Sequence, residues 1–309
     1  MRAIDEPELA AGLAAYLAIV RRQGSPPPLE TSRLQADRDA HRIAYPRPAG
    51  MRVVNTHAVG GGQETPVRIY RPAGDEVQPA IVYLHGGGFT AGSIESYDGL
   101  ATALAEASGA SVISVQYARL PEATPRAVLA QCCSVLDWVV RMAEVLRIDA
   151  ARLAVAGDSA GAFLATHLAI AARDARGPLL VCQLLAYGVY ALEAAAGDPG
   201  LPATAIEAMI ATYRECSARD ATPLPAPAQV GDLAGLPPAI LLTGEYDALR
   251  AEGLDHASRL RAAGVPVTER IASAMCHGFL RAVAFSEAAR AEMRWLGAIC
   301  RNHLQPRTD

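Results

Sequence analysis

Apolar residues follow two alternating rhythms along this chain. Short, almost unbroken apolar runs stand at AIVYLH, opened by Pro79, and then at SVISVQY (111–117), Leu153 to Ala156, LLVCQLLAY (179–187) and AILLTG (239–244), and VTERIA (267–272) reads as a last strand. Between them the spacing is helical, over 96–108, about 125–147, the stretch after Ser159, 251–263 and 284–301. In the second of these, Val128, Cys132, Val135, Leu136, Val139 and Val140 share one side. Buried-type strands alternating with helices predict a mostly parallel sheet covered on both faces.

The rhythm changes at two places. Ahead of Pro79, 51–60 and 66–71 read as strands turned by Gly60, Gly61 and Gly62, and the alternation of VRIYR predicts an antiparallel edge pair with one exposed face. Earlier still, Leu9, Leu13, Tyr16, Leu17 and Val20 form a helical stripe over 5–22, ended by Gly-Ser-Pro-Pro-Pro at 24–28; a second helical segment spans 30–44. Such short helices need a surface to pack on, so the arm is either a decoration or a lid over a pocket. The second change is at 191–238, with one helical stretch, 203–216, and a Pro-rich run from 222. It reads as an excursion over the carboxyl ends of the strands, where ligands gather in such sheets.

At 309 residues the chain could hold two ordinary domains, but one α/β domain also fits that length, and 51% hydrophobic residues provide for a sizeable core. Every one of the 28 basic side chains is arginine, scattered under a net charge of −4, which speaks against a nucleic-acid partner. The six cysteines lie in or beside apolar segments and read as free thiols. MRAIDEPELA lacks the basic head of a signal peptide, and no apolar run is long enough for a membrane span, so a cytoplasmic protein without stable membrane insertion is the expectation.

Chemistry enters at Gly157-Asp158-Ser159-Ala160-Gly161, between a strand and a helix. Strand, sharp turn and helix lift one side chain clear of the sheet, and Gly157 and Gly161 leave room where backbones crowd. Ser159 is therefore a candidate nucleophile, the alternative being a serine that caps the next helix. A serine hydroxyl needs a base. His277, in MCHGF, and Asp247, in GEYDALR, each follow a strand, giving the order Ser159, Asp247, His277 used by one family of serine hydrolases. Glu245 and Asp255 are rival acids. His85-Gly-Gly-Gly-Phe89 follows another strand; the amides of Gly87, Gly88 and Ala160 would form an oxyanion hole, with His85 bracing the loop. A flexible hairpin is the plainer reading of that loop. No Gly-Lys-Ser/Thr follows to make a phosphate cradle, and the remaining histidines lack company at metal-ligand spacing.

HGGGF, ESYDGL (95–100), GDSAG, GLPPAILLTGEYDALRAEG (235–253) and HGF (277–279), in this order, resemble the hormone-sensitive-lipase-like branch of the α/β-hydrolase esterases. The resemblance implies one α/β-hydrolase domain over 1–309, with cap segments at 1–45 and 190–225. It also implies cofactor-free hydrolysis of carboxylic esters with short to medium acyl chains, and a homodimer through the last strand. Phe89, Tyr187, Tyr190, Met209 and Tyr213 are the candidates for substrate pockets, each equally suited to ordinary core. The chain departs from the family pattern at Gln116, where an acid is usual, at Ala162 and Phe163, where Gly-Asn usually follows the elbow, and in ERIASAM before His277. A non-catalytic receptor on the same fold, and an amidase or lactonase, are the rival functions.

Overall fold

The computed structural model describes residues 8–20 and 28–306. Pairing is led by Gln78–Leu84 (β3), whose alternate side chains enter different cores. Val82 and Leu84 pack toward one face of the sheet, Ile81 and Tyr83 toward the other. This two-sided burial is what an unbroken apolar run is for. Around β3 the strands are Arg52–Gly60 (β1), Gln63–Arg71 (β2), Ser111–Val115 (β4), Ile148–Asp158 (β5), Leu180–Ala186 (β6), Ala239–Gly244 (β7) and Val267–Ala272 (β8). They form an eight-stranded sheet in the order β1-β2-β4-β3-β5-β6-β7-β8. From β4 to β8 all neighbours are parallel, and β2 runs antiparallel to both β1 and β4.

Helices Leu13–Val20 (α1), Leu29–Ala40 (α2), Asp98–Ser108 (α3), Pro125–Arg141 (α4), Ala143–Leu146 (α5), Ala160–Asp174 (α6), Ala203–Ser217 (α7), Arg250–Ala262 (α8) and Glu287–His303 (α9) complete the chain. Apolar residues of α4, α6, α7 and α8 share the core of one face; those of α1, α3 and α9 share the other. From β3 the chain steps to β4 on one side, then back across to β5 on the other. The strand order reverses there, and the crevice beyond the carboxyl ends of β3 and β5 is where such a sheet accepts a ligand.

Four expectations are corrected in detail. VRIYR does not have an exposed face: Val67 to Arg71 are all buried, because β2 lies inside the sheet and the segment before α3 covers it. The charge this buries is matched, since Arg68 donates to Asn55 Oδ1 (2.7 Å), to Glu95 and to Asp98 Oδ1 (2.9 Å). The helix over 125–147 is interrupted at Met142, and Arg147 ends α5 in the left-handed region (φ 53°). The strand 111–117 leaves the ladder after Val115. At the amino-terminal arm, Gly12 (φ 87°) precedes α1, and a β-carbon there would meet the Phe285 carbonyl oxygen at 2.1 Å. Leu9, Leu13, Tyr16 and Leu17 are buried and Val20 is half-buried, but the helix expected over 5–22 covers only Leu13–Val20 of the described residues, 8–12 not being α-helical; 5–7, 21–22 and the stretch 24–27 lie outside the described residues.

Candidate active site

Strand order brings the sequence candidates to one edge. Leu84 pairs with Gly157, so the loop after β3 and the turn after β5 are side by side. Gly244 pairs with Ala272, so the loops bearing Asp247 and His277 are neighbours too. The turn after β5 is as tight as its glycines suggest. A β-carbon on Gly157 would stand 2.1 Å from the Gly161 carbonyl oxygen, and one on Gly161 would stand 1.9 Å from that of Leu84. Ser159 sits at φ 54°, ψ −121°, a conformation that costs a non-glycine residue on the order of 1–3 kcal/mol. Its hydroxyl makes no capping bond to α6. It lies instead 2.9 Å from His277 Nε2, while His277 Nδ1 lies 3.0 Å from Asp247 Oδ1.

Asp247 Oδ1 also accepts the Leu249 amide at 2.8 Å. The rival acids are elsewhere: Glu245 accepts the Ser273 hydroxyl and the Ala274 amide, both at 2.8 Å, and Asp255 is exposed on α8. Burial works against a charged imidazole at His277, but the charge and hydrogen bond of Asp247, with Asp198 and Asp158 beyond, outweigh it and raise its pKa above the ordinary 6.5. The imidazolium formed by proton transfer is thus stabilised where it would arise.

In the loop after β3, Gly87 (φ 117°), Gly88 (φ 59°) and Phe89 (φ 64°) are all left-handed. Among the described residues the amides of Gly87, Gly88 and Ala160 donate to no protein acceptor. His85 is fully buried and stacked between Tyr97 and Tyr117, with centroid separations of 5.4 and 4.2 Å. Burial lowers its pKa to about 4, so it is a neutral brace.

Of the five pocket candidates, Met209 on α7 lies over the glycine loop, its Cγ 3.4 Å from where a Gly88 β-carbon would be. Phe89, Phe163 and Tyr213 form a ring cluster with centroids 5.0–5.3 Å apart. Tyr187 packs edge-on against His277 (5.1 Å). Tyr190 stacks on His256 of α8 at 4.1 Å. Phe163 therefore fills space between the elbow helix and α7, and Ala162 lies against the backbone at Gly188. Gln116 still anchors a loop without charge, its Oε1 accepting the Ile94 amide at 2.9 Å.

Two carboxylates that the sequence reading passed over hold the site together. Asp158 Oδ1 accepts the Tyr83 hydroxyl (2.7 Å) and the Gly86 amide (2.9 Å), tying the elbow to the glycine loop; burial raises its pKa to about 6. Asp198 Oδ1 accepts the amides of Gly200 (2.6 Å) and His277 (3.2 Å), and its Oδ2 that of Ala248 (2.7 Å). One signal was available for Asp158, its place inside the elbow motif. None marked Asp198 within the irregular excursion. Among the described residues no group of three His, Cys, Asp or Glu side chains could hold a metal ion. No helix among them is long and apolar enough to cross a membrane.

A mostly parallel sheet with a serine, an imidazole and a carboxylate linked in series beyond its strands defines a serine hydrolase of the α/β-hydrolase fold. Residues 81–281 match the family described as alpha/beta hydrolase fold, and the chain belongs to it, in the hormone-sensitive-lipase-like branch of esterases. Carboxylesterase NlhH of Mycobacterium tuberculosis is 38% identical over 253 residues, 78% of this chain and 79% of that protein. Ethyl acetate hydrolase of Pseudomonas putida is 34% identical over 243 residues, 74% of this chain and 75% of that one. The crystal structure of a thermostable esterase from Pseudomonas putida ECU1011 superposes with a TM-score of 0.85 at 29% identity, over 98% of this chain and 100% of that one. The protein is a carboxylic ester hydrolase.

Proposed function

We propose that the enzyme cleaves carboxylic esters of short to medium acyl length through an acyl-enzyme on Ser159. His277 takes the hydroxyl proton as Ser159 attacks the carbonyl, then gives it to the departing alcohol. Asp247 holds the imidazole with its proton on Nδ1 and stabilises the charged form. The amides of Gly87, Gly88 and Ala160 receive the tetrahedral oxyanion. Water activated by His277 then releases the acid. No cofactor enters any step. The observation that carries this reading is the pair of contacts, 2.9 and 3.0 Å, joining Ser159 to His277 and His277 to Asp247.

The cap is assigned to 1–45 and 190–225 of a single 1–309 domain, and Met209 over the glycine loop supports α7 as a pocket wall. Phe89, Met209 and Tyr213 would contact the acyl group. Tyr187, against His277, would contact the alcohol, and Tyr190 would act behind it from its seat on His256. The largely exposed edge strand β8 supports a homodimer, tested by mass in solution. Free cysteines among the described residues fit a reducing, cytoplasmic compartment.

Burst-phase acylation with a chromogenic short-chain ester tests the mechanism. A stoichiometric burst is expected in the parent enzyme and none in Ser159→Ala; unchanged turnover in the variant would overturn it. A panel across acyl length, amides and lactones then fixes the substrate class.

A further inference from the structure

The oxyanion loop is held from outside as well as from beneath. Gly87, Gly88 and Gly92 (φ 117°, 59° and 83°) adopt positive φ freely, so the loop has many backbone alternatives and needs hydrogen bonds to fix one, while Phe89 (φ 64°) holds a strained conformation among them. The Gly87 carbonyl accepts the amides of Thr90 (3.2 Å) and Ala91 (2.8 Å), so the turn at Thr90 sets the direction of the Gly87–Gly88 peptide. From α2, which precedes this loop by a whole hairpin, the Arg33 guanidinium reaches that turn. Its Nε donates to the Thr90 carbonyl at 2.7 Å and its Nη2 to the Leu120 carbonyl at 2.8 Å. Leu120 in turn donates its amide to the Phe89 carbonyl at 3.0 Å, closing a ring of contacts around the loop. Glu122 fixes the guanidinium from the far side through two bonds of 2.6 and 2.9 Å. One turn further along α2, Asp37 accepts the Ser93 hydroxyl of the same loop.

We propose that Arg33 is a positioning residue for the oxyanion donors, and that α2 works as a clamp on the loop carrying Gly87 and Gly88. A planar fork can satisfy two carbonyls and a carboxylate together, whereas an ammonium on a flexible stem cannot. The exposed ion pair with Glu122 contributes little by itself; its use is to hold the fork in register. With the fork removed, the turn at Thr90 is free to reorient among the many conformations open to its glycines and to carry the amides away from the carbonyl oxygen. Rate depends steeply on that placement, while substrate still fills the same pocket.

The inference rests on the acyl-enzyme reading, and its test separates the two. The parent enzyme, Arg33→Met and Arg33→Lys are compared in kcat and KM for a short-chain ester. Each is also titrated with a trifluoromethyl ketone, whose adduct with Ser159 places an oxyanion in the hole, and with the unfluorinated ketone, which binds without one. In Arg33→Met, kcat falls by about 10–30-fold with KM within about twofold. Trifluoromethyl-ketone affinity falls in step, and affinity for the plain ketone holds. Arg33→Lys has the same signature at about 3–5-fold and decides the matter alone if Arg33→Met does not fold. Unchanged kcat, or equal weakening of both ketones, overturns the clamp. A parent enzyme that forms no adduct overturns the acyl-enzyme reading instead.

Discussion

The two sides of the catalytic edge are built by different means. Beside Ser159, between β3 and β5, the backbone itself does the shaping: Gly157 and Gly161 allow approaches no other residue permits, and the glycine loop follows within the adjoining strand's turn. Beside His277, between β7 and β8, shape comes from one carboxylate delivered from far away, Asp198, which accepts the amides of His277 and Ala248. Steric necessity leaves a mark in sequence. A remote hydrogen-bond acceptor does not.

Substitutions can break each side separately. The largest effect belongs to the side chain that links the two sides by its contact with Ser159: His277→Ala should lower kcat by roughly 10⁴-fold or more, measured with a chromogenic ester. Gly161→Ala attacks the nucleophile side through pure sterics, since its β-carbon would lie 1.9 Å from the Leu84 carbonyl oxygen. It should destabilise the protein by about 4 kcal/mol or prevent folding, read from denaturant unfolding. Asp198→Asn attacks the imidazole side more gently. The amide cannot accept at both ends, so the His277 loop shifts and kcat should fall by roughly 10–100-fold with the fold intact.

The same variant sharpens the comparison through pH. The base must be neutral to take the serine proton. Its pKa is raised, so kcat/KM should fall as pH drops through a value above 6.5. Asp198 is one of the carboxylates raising it, so Asp198→Asn should move this acid limb to lower pH. A limb that stays in place would show that Asp198 acts on geometry alone. The smallest effect is expected at Gln116→Glu, which keeps an acceptor for the Ile94 amide and should leave turnover within about threefold.

Legibility in the sequence followed the same division. Apolar runs with two buried faces announced β3 to β7, and the elbow glycines and post-strand loops singled out Ser159, Asp247 and His277 as candidates, which the fold brings into contact. VRIYR misled because alternation reports polarity and cannot report that Glu95 and Asp98 would fold over Arg68. Phe163 showed in the sequence only as a departure from the family pattern, and the fold packs its ring against those of Phe89 and Tyr213.

What the sequence determined by itself is local: which segments bury two faces, which turns tolerate only glycine, and in what order the candidate nucleophile, acid and base occur. Periodicity and steric exclusion act over a few residues, so they can be read from a few residues. Only the tertiary structure decided which carboxylates hold the loops and which arginine reaches the turn at Thr90. The Arg33–Thr90 and Asp198–His277 contacts span 57 and 79 residues, and hydrogen bonding at that separation depends on where packing carries each chain segment.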